Sequence, residues 1–363
     1  MDRVGAETPL KEDLGCARAL VLPLEPGRGL PIIHGWVQTD GKSGEFSMLA
    51  RDGEKVLASR DAAGTRPLYV GRSGKWIASD HRFFPHQEAT LLPPASVYDF
   101  SARKTIKRQT RHRNFEGTFK DAGKKLAEIL YDAIKDRVDG TNRVAVSFSG
   151  GLDSSLLVHC AKQHVKVIAC SVYAPESLDS RNAPRAAEIL GVELLQEEVT
   201  HRTAKRELVS LDLPFQPSLM DMSLWCIYSA ASRLSSEAGA RLILLGQLAD
   251  ELFGGYMKYS RALAEQGERA ATRLMQEDMA ECGERGLIRD EEACSRWLEP
   301  RFPFADGKVL EFGYGLPVGF KIRRGVKKAV LREAASYLGL PRELTEAPKK
   351  AAQYSSGVQR ILE

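Results

Sequence analysis

Four serines, two glycines and an aspartate crowd into nine residues of this 363-residue chain, Ser147-Phe-Ser-Gly-Gly-Leu-Asp-Ser-Ser155. The β-branched run Arg143-Val-Ala-Val ahead of them reads as a strand, and the amphipathic stretch from Leu152 reads as a helix. Gly150 and Gly151 let the backbone of the intervening turn approach a ligand, while Ser149, Ser154 and Ser155 add hydroxyls beside the unpaired N–H groups of the helix's first turn. Such a site takes an anion, above all a phosphate. Asp153 inside it would repel that phosphate unless a divalent cation lay between them. The loop therefore reads as nucleotide and Mg²⁺ chemistry, without the Gly-Lys-Ser/Thr ending of a Walker loop.

A second constellation closes the run Arg241-Leu-Ile-Leu-Leu245, in the form Gly246-Gln-Leu-Ala-Asp-Glu-Leu-Phe-Gly-Gly-Tyr256. Asp250 and Glu251 fall in the first turn of a helix, where an acid is favoured by the exposed N–H groups and could be no more than a cap. Gly254-Gly255, however, interrupt a helix at a cost that a plain cap does not require. Two carboxylates brought from separate strand ends, Asp153 and Asp250, can clamp the Mg²⁺ of an ATP triphosphate.

These loops need a frame, and the periodicity supplies it. From Thr118 to Val138 apolar residues recur at helical spacing, and the chain then alternates strand 143–148, helix 152–163, strand 165–172, helix 182–190 and strand 193–198. After an uneven stretch with Pro214 and Pro217 come helix 222–236, strand 241–246 and helix 250–264, with a helical remainder. Alternation of this kind implies an α/β fold, a parallel sheet with helices on both faces, whose ligands sit beyond the carboxyl ends of the strands. Residues 18 to about 100 differ, being short apolar runs broken by Gly, Pro and the hairpin signals Asp52-Gly53 and Arg72-Ser-Gly74. They predict a small β-rich N-terminal domain, and the basic run 103–113 reads as a linker. The expected division is 1–113 and 114–363.

Composition narrows the function classes. Hydrophobic residues make up 43% and charged residues 28%, as in ordinary globular proteins, and the net charge of +4 does not demand a nucleic-acid partner. The basic clusters 103–113 and Lys321-Ile-Arg-Arg-Gly-Val-Lys-Lys328 leave RNA binding open, with a solvated linker and a phosphate-facing site as the plainer readings. No apolar run is long enough to cross a bilayer, and no basic stretch with an apolar core opens the chain, so a cytoplasmic protein with no membrane partner is expected. Cys16, Cys160, Cys170, Cys226, Cys282 and Cys294 are scattered, which suits buried small side chains better than a zinc or iron–sulfur site.

The segments SFSGGLDSS and GQLADELFGGY together resemble the synthetase domain of glutamine-dependent asparagine synthetases and their relatives, of the ATP-pyrophosphatase (HUP-like) fold class. Arg301-Phe-Pro-Phe-Ala-Asp306 is similar to the family's Arg-x-Pro-Phe-x-Asp segment, and Gly325-Val-Lys-Lys-Ala-Val-Leu-Arg-Glu333 to its Lys-x-x-Leu-Arg-Glu helix. The resemblance spans residues 118–350. It implies that Ser147, Ser149, Gly150, Gly151, Asp153, Ser154, Ser155 and Gly246 hold ATP, with Asp153 and Asp250 as Mg²⁺ ligands. Lys328 would approach the α-phosphate and the intermediate, and Asp306 would help to order the site unless it is only a helix cap. The implied activity is AMP-forming amide ligation: a carboxylate, aspartate being the simplest, becomes an acyl adenylate and is attacked by ammonia or an amine. A homodimer stays open. Rivals are the same activation of another carboxylate on a metabolite, a peptide or a tRNA nucleoside, sulfur transfer to tRNA, and a non-catalytic nucleotide-binding regulatory protein.

Two departures stand out. Where the family usually has Glu, this chain has Gln247, and an amide cannot act as a general base, although it can orient a substrate. The segment Ser59-Arg-Asp-Ala-Ala-Gly-Thr-Arg-Pro-Leu-Tyr-Val-Gly71 resembles the family's glutaminase domain, yet residue 2 is Asp2 where that domain has its cysteine. The expectation is a shortened, non-catalytic glutaminase-like region, with Cys16 a buried thiol.

Overall fold

The computed structural model describes residues 22–23, 32–37, 44–84, 88–108, 112–347 and 355–363. Cys16, Asp2 and the start of the expected strand at Leu20 lie outside them. Five parallel strands form the central sheet in the order Glu193–Glu198, Lys166–Tyr173, Arg143–Ser147, Leu242–Leu244 and Glu299–Arg301. Val144, Ala145 and Val146 of the middle strand are fully buried, which explains why it reads as an unbroken apolar run and not as an alternation. Helices Phe119–Val138, Leu152–Ala161 and Leu178–Leu190 cover one face, and His201–Leu208, Leu219–Glu237 and Leu287–Cys294 the other. The connections run outward from Arg143–Ser147 on one side and resume with Leu242–Leu244 on its other side. A crevice opens at that switch of direction, where both glycine-bearing loops leave the sheet.

Local chemistry sets the helix boundaries. Thr118 and Asp121 form a reciprocal capping box for Phe119–Val138, and Ser218 and Asp221 do so for Leu219–Glu237. A third box, Thr200 with Thr203, starts the helix His201–Leu208 inside the stretch that periodicity left uneven. The expected helix 182–190 begins earlier, at Leu178, because Ser177 caps it and Pro184 is carried within it. The expected helix 250–264 is two, Ala249–Phe253 and Met257–Gln266, divided by Gly254 in the left-handed region. Strand Glu299–Arg301 was not expected; Pro300 gives it no ladder donor, which an edge position tolerates. Among the described residues no helix is long and apolar enough to cross a membrane.

Among the described residues the N-terminal region holds two antiparallel sheets, one of five strands (Ile32–Val37, Gly44–Asp52, Lys55–Arg60, Ser96–Asp99, Lys104–Lys107) and one of four. Leu49, Ala58, Leu68, Ile77, Leu92 and Tyr98 pack between them. Lys104–Lys107, expected within a linker, is an exposed edge strand whose lysines discourage further pairing. Asp61 explains the Arg-Asp-x-x-Gly pattern, since its carboxylate accepts from the backbone N–H of Phe46, Ala63, Gly64 and Thr65.

Buried ion pairs lock these sheets onto the parallel one. Arg137, fully buried, donates to Glu45 at 2.5 Å and to Asp306 at 3.1 Å, and Glu45 also accepts from the N–H of Phe302 at 2.8 Å. Arg137→Met would leave two buried carboxylates without their cation, so it should lower unfolding free energy by about 3–5 kcal/mol. Urea unfolding measures this, and a loss below about 1 kcal/mol would show the charges to be hydrated.

Candidate functional site

A cavity of about 670 Å³ opens beyond the carboxyl ends of the strands Arg143–Ser147 and Leu242–Leu244. Its walls include Ser147, Ser149, Asp153, Ser154 and Gly246. The helix Leu152–Ala161 begins at Gly151 with no side-chain cap, so its first N–H groups point to the cavity end of the helix. Ser149 N–H donates to Ser154 Oγ at 3.3 Å, and Ser154 Oγ to Gly151 carbonyl at 3.3 Å, which closes the loop on itself. Gly150 has φ +71°, and a Cβ there would stand 2.6 Å from the carbonyl oxygen of Asn182, so only glycine fits. Ser155 is fully buried beneath the loop and does not reach the cavity wall.

The two expected carboxylates meet at a third residue. Lys328 Nζ lies 2.6 Å from Asp153 Oδ2 and 2.9 Å from Asp250 Oδ1, and Lys328 is 0% exposed. It gets there through a tight turn in which Arg323 and Val326 exchange backbone hydrogen bonds, followed by Lys328 itself at φ +54°. A lysine in the left-handed region costs about 1–2 kcal/mol, a strain that the contacts to the two carboxylates offset. Carboxylate oxygens from the first turns of two helices thus converge on one cation position, a hard-oxygen arrangement that fits Mg²⁺. Gly255 makes room for it: a Cβ there would fall 1.6 Å from Asp250 Oδ1 and 2.6 Å from Lys328 Cε. Gly255→Ala must therefore displace the carboxylate, and nucleotide-dependent activity should drop at least tenfold in a protein that still folds. Unchanged turnover in that variant would mean that the Asp250 carboxylate is not needed where it stands.

The remaining expected residues divide. Gln247 lines the cavity, and its amide Nε2 donates to Asp290. Asp306 is not brought to the cavity; its carboxylate caps the helix Gly307–Gly315 through Lys308 N–H at 2.9 Å and pairs with Arg137, the cap alternative. Of the basic segment 321–328, Lys321 is buried and lowered to about 8 by desolvation, while Lys328 enters the site.

Several residues at the site were given no role there from sequence. Glu251 is buried beside Asp250, takes a 2.7 Å hydrogen bond from Tyr256 Oη, and is pushed up to about 7, first by burial and then by the Asp250 charge. Arg289 joins Asp221 at 2.9 Å to Asp290 at 2.8 Å. Only the Ser218-x-x-Asp221 capping pattern gave any local signal for that group.

A model of the asparagine synthase family matches residues 125–281 and 264–362. A Methanocaldococcus jannaschii protein named for glutamine-hydrolyzing asparagine synthetase is 28% identical over 88% of this chain and 70% of its own length. Asparagine synthetase B (glutamine-hydrolyzing) of Escherichia coli is 27% identical over 88% of this chain and 62% of its own. The chain therefore spans about two thirds of the length of these relatives. Among solved structures, NMN synthetase from Francisella tularensis aligns with TM-score 0.33 and 14% identity over 66% of this chain and 78% of that one, too distant to bear on function.

Proposed function

The chain belongs to the asparagine synthase family, and we propose that it is an ATP-dependent carbon–nitrogen ligase that activates a carboxylate as an acyl adenylate and passes it to ammonia or an amine. The observation that carries this reading is the convergence of Asp153, Asp250 and Lys328 on one point beside an uncapped helix N-terminus. Aspartate is the simplest acceptor.

In this reading the N–H groups and hydroxyls of the Ser149–Ser154 loop receive the phosphates of ATP. Asp153 and Asp250 hold Mg²⁺, which supplies charge neutralisation for the pyrophosphate while bound. A carboxylate oxygen attacks the α-phosphorus, and the bond to the β,γ-pyrophosphate breaks. Charge gathers on the α-phosphoryl oxygens as this happens, and the Lys328 ammonium lies next to the same carboxylates to offset it. Walls of the cavity then shield the acyl adenylate from bulk water until the nitrogen arrives.

Incubation with Mg·ATP, ammonia and a panel of carboxylates, aspartate among them, tests the reading through its products. One AMP and one pyrophosphate per amide are expected. ADP and inorganic phosphate in their place would contradict it.

A further inference from the structure

Gln247 follows the strand Leu242–Leu244 and faces the cavity next to the phosphate loop, since a Cβ on the adjoining Gly246 would touch Asp153 Cβ at 3.3 Å. Its amide Nε2 donates to Asp290 Oδ2. An ionised carboxylate only accepts, so chemistry assigns the amide: Nε2 faces Asp290, and Oε1 is the polar atom Gln247 has left for the cavity. Asp290 cannot turn away, because it is fully buried, its Oδ1 accepts a 2.8 Å hydrogen bond from Arg289 Nε, and the same oxygen lies 2.8 Å from Nη2 of that guanidinium. Arg289 is fixed in turn by Asp221 at 2.9 Å, and Asp221 by its capping box with Ser218. The helix bearing Arg289 and Asp290 follows a π-helical turn, Cys282–Gly286, a device that shifts the register of a helix face and recurs at functional sites. Five side chains from three segments end in one oriented carbonyl oxygen.

Amide formation at an acyl adenylate needs the nitrogen lone pair aimed at the acyl carbon. The lone pair forms the C–N bond, the C–O bond to AMP breaks with its electrons going to the phosphate, and the proton shed by nitrogen goes to that departing phosphate. Gln247 accepts no proton in this scheme. What the step gains from it is orientation, because an acceptor behind the nucleophile holds its N–H groups and turns the lone pair forward. Resting on the acyl-adenylate reading above, we propose that Asp290 is a positioning residue for the amide-forming half-reaction: through Gln247 it presents a fixed hydrogen-bond acceptor to the incoming nitrogen.

Substitution at Asp290 separates this role from packing. Asp290→Asn is isosteric, but Arg289 would hold the new carbonyl oxygen and leave the new NH₂ facing Gln247. The Gln247 amide must then flip and present its own NH₂ to the cavity, where it repels an N–H donor. Asp290→Ala leaves the amide free to choose. With ammonium chloride as the nitrogen source at fixed pH, KM for ammonia should rise at least tenfold in Asp290→Asn, and by less in Asp290→Ala. AMP released per amide should climb above one as water intercepts the adenylate, while carboxylate-dependent ATP–pyrophosphate exchange stays within about threefold of the parent. A packing role predicts the opposite order, Ala worse than Asn, with exchange and amide synthesis falling together, and that result would overturn the proposal. If neither variant folds, Gln247→Asn, one methylene too short to reach Asp290, should show the same rise in KM, and an unchanged KM there would overturn it equally. Absence of carboxylate-dependent exchange in the parent protein would instead refute the adenylate reading itself.

Discussion

Asp153→Asn and Asp250→Asn should each lower Mg·ATP-dependent pyrophosphate release at least a hundredfold, about 3 kcal/mol in barrier height. Asparagine keeps the shape of each side chain and one oxygen, so the expected loss is one of charge. Both variants should stay folded, because Lys328 retains the other carboxylate as partner, at 2.9 Å in the first case and 2.6 Å in the second. The two residues come from the first turns of helices about a hundred positions apart and touch the same ammonium, so neither change alters the other's element. Full pyrophosphate release by either variant would remove that residue from the chemistry and break the symmetry of the clamp.

Lys328→Met should cost about 10²–10³ in the same half-reaction, about 3–4 kcal/mol, the usual loss when one preset charge-stabilising donor is removed. It carries a second signature that does not depend on turnover. Without the ammonium, Asp153 and Asp250 lose the cation they share, and their mutual repulsion rises by an amount that a divalent ion relieves. Mg²⁺ alone should therefore raise the melting temperature of Lys328→Met more than that of the parent. Equal Mg²⁺ effects on both proteins would place the ion away from these two carboxylates.

How much of this site the sequence discloses follows from how local each feature is. The Ser149–Ser154 loop is legible because strand, Gly-Gly turn and helix start are contiguous, and its glycines are needed for backbone reasons that residue type alone conveys. Gly254-Gly255 is legible only as an anomaly; that Gly255 makes space for Asp250 and the Lys328 stem becomes visible when residues 73 positions apart (328 − 255) are brought together. Periodicity passed over His201–Leu208 because the helix is polar, and its capping box was the better signal. For Asp306 the motif left two readings open, a part in ordering the site or a helix cap, and the structure shows the cap, with the charge answering Arg137 below the N-terminal sheets. Nothing local announces the bond from Gln247 to Asp290, which spans 43 positions. Buried polar networks of this kind are set by tertiary approach, and a single sequence holds no measure of it.

Transfer of ¹⁸O tests the central claim most directly. The carboxylate that supports exchange, aspartate being tried first, is labelled in its carboxyl group and incubated with the protein, Mg·ATP and ammonia. If the carboxylate attacks the α-phosphorus and the nitrogen later displaces AMP, one carboxyl oxygen leaves with the nucleotide, and ¹⁸O appears in the phosphate of AMP in amount equal to the amide formed. Unlabelled AMP, or label recovered in inorganic phosphate alongside ADP, would contradict acyl-adenylate chemistry at the Asp153–Asp250–Lys328 site.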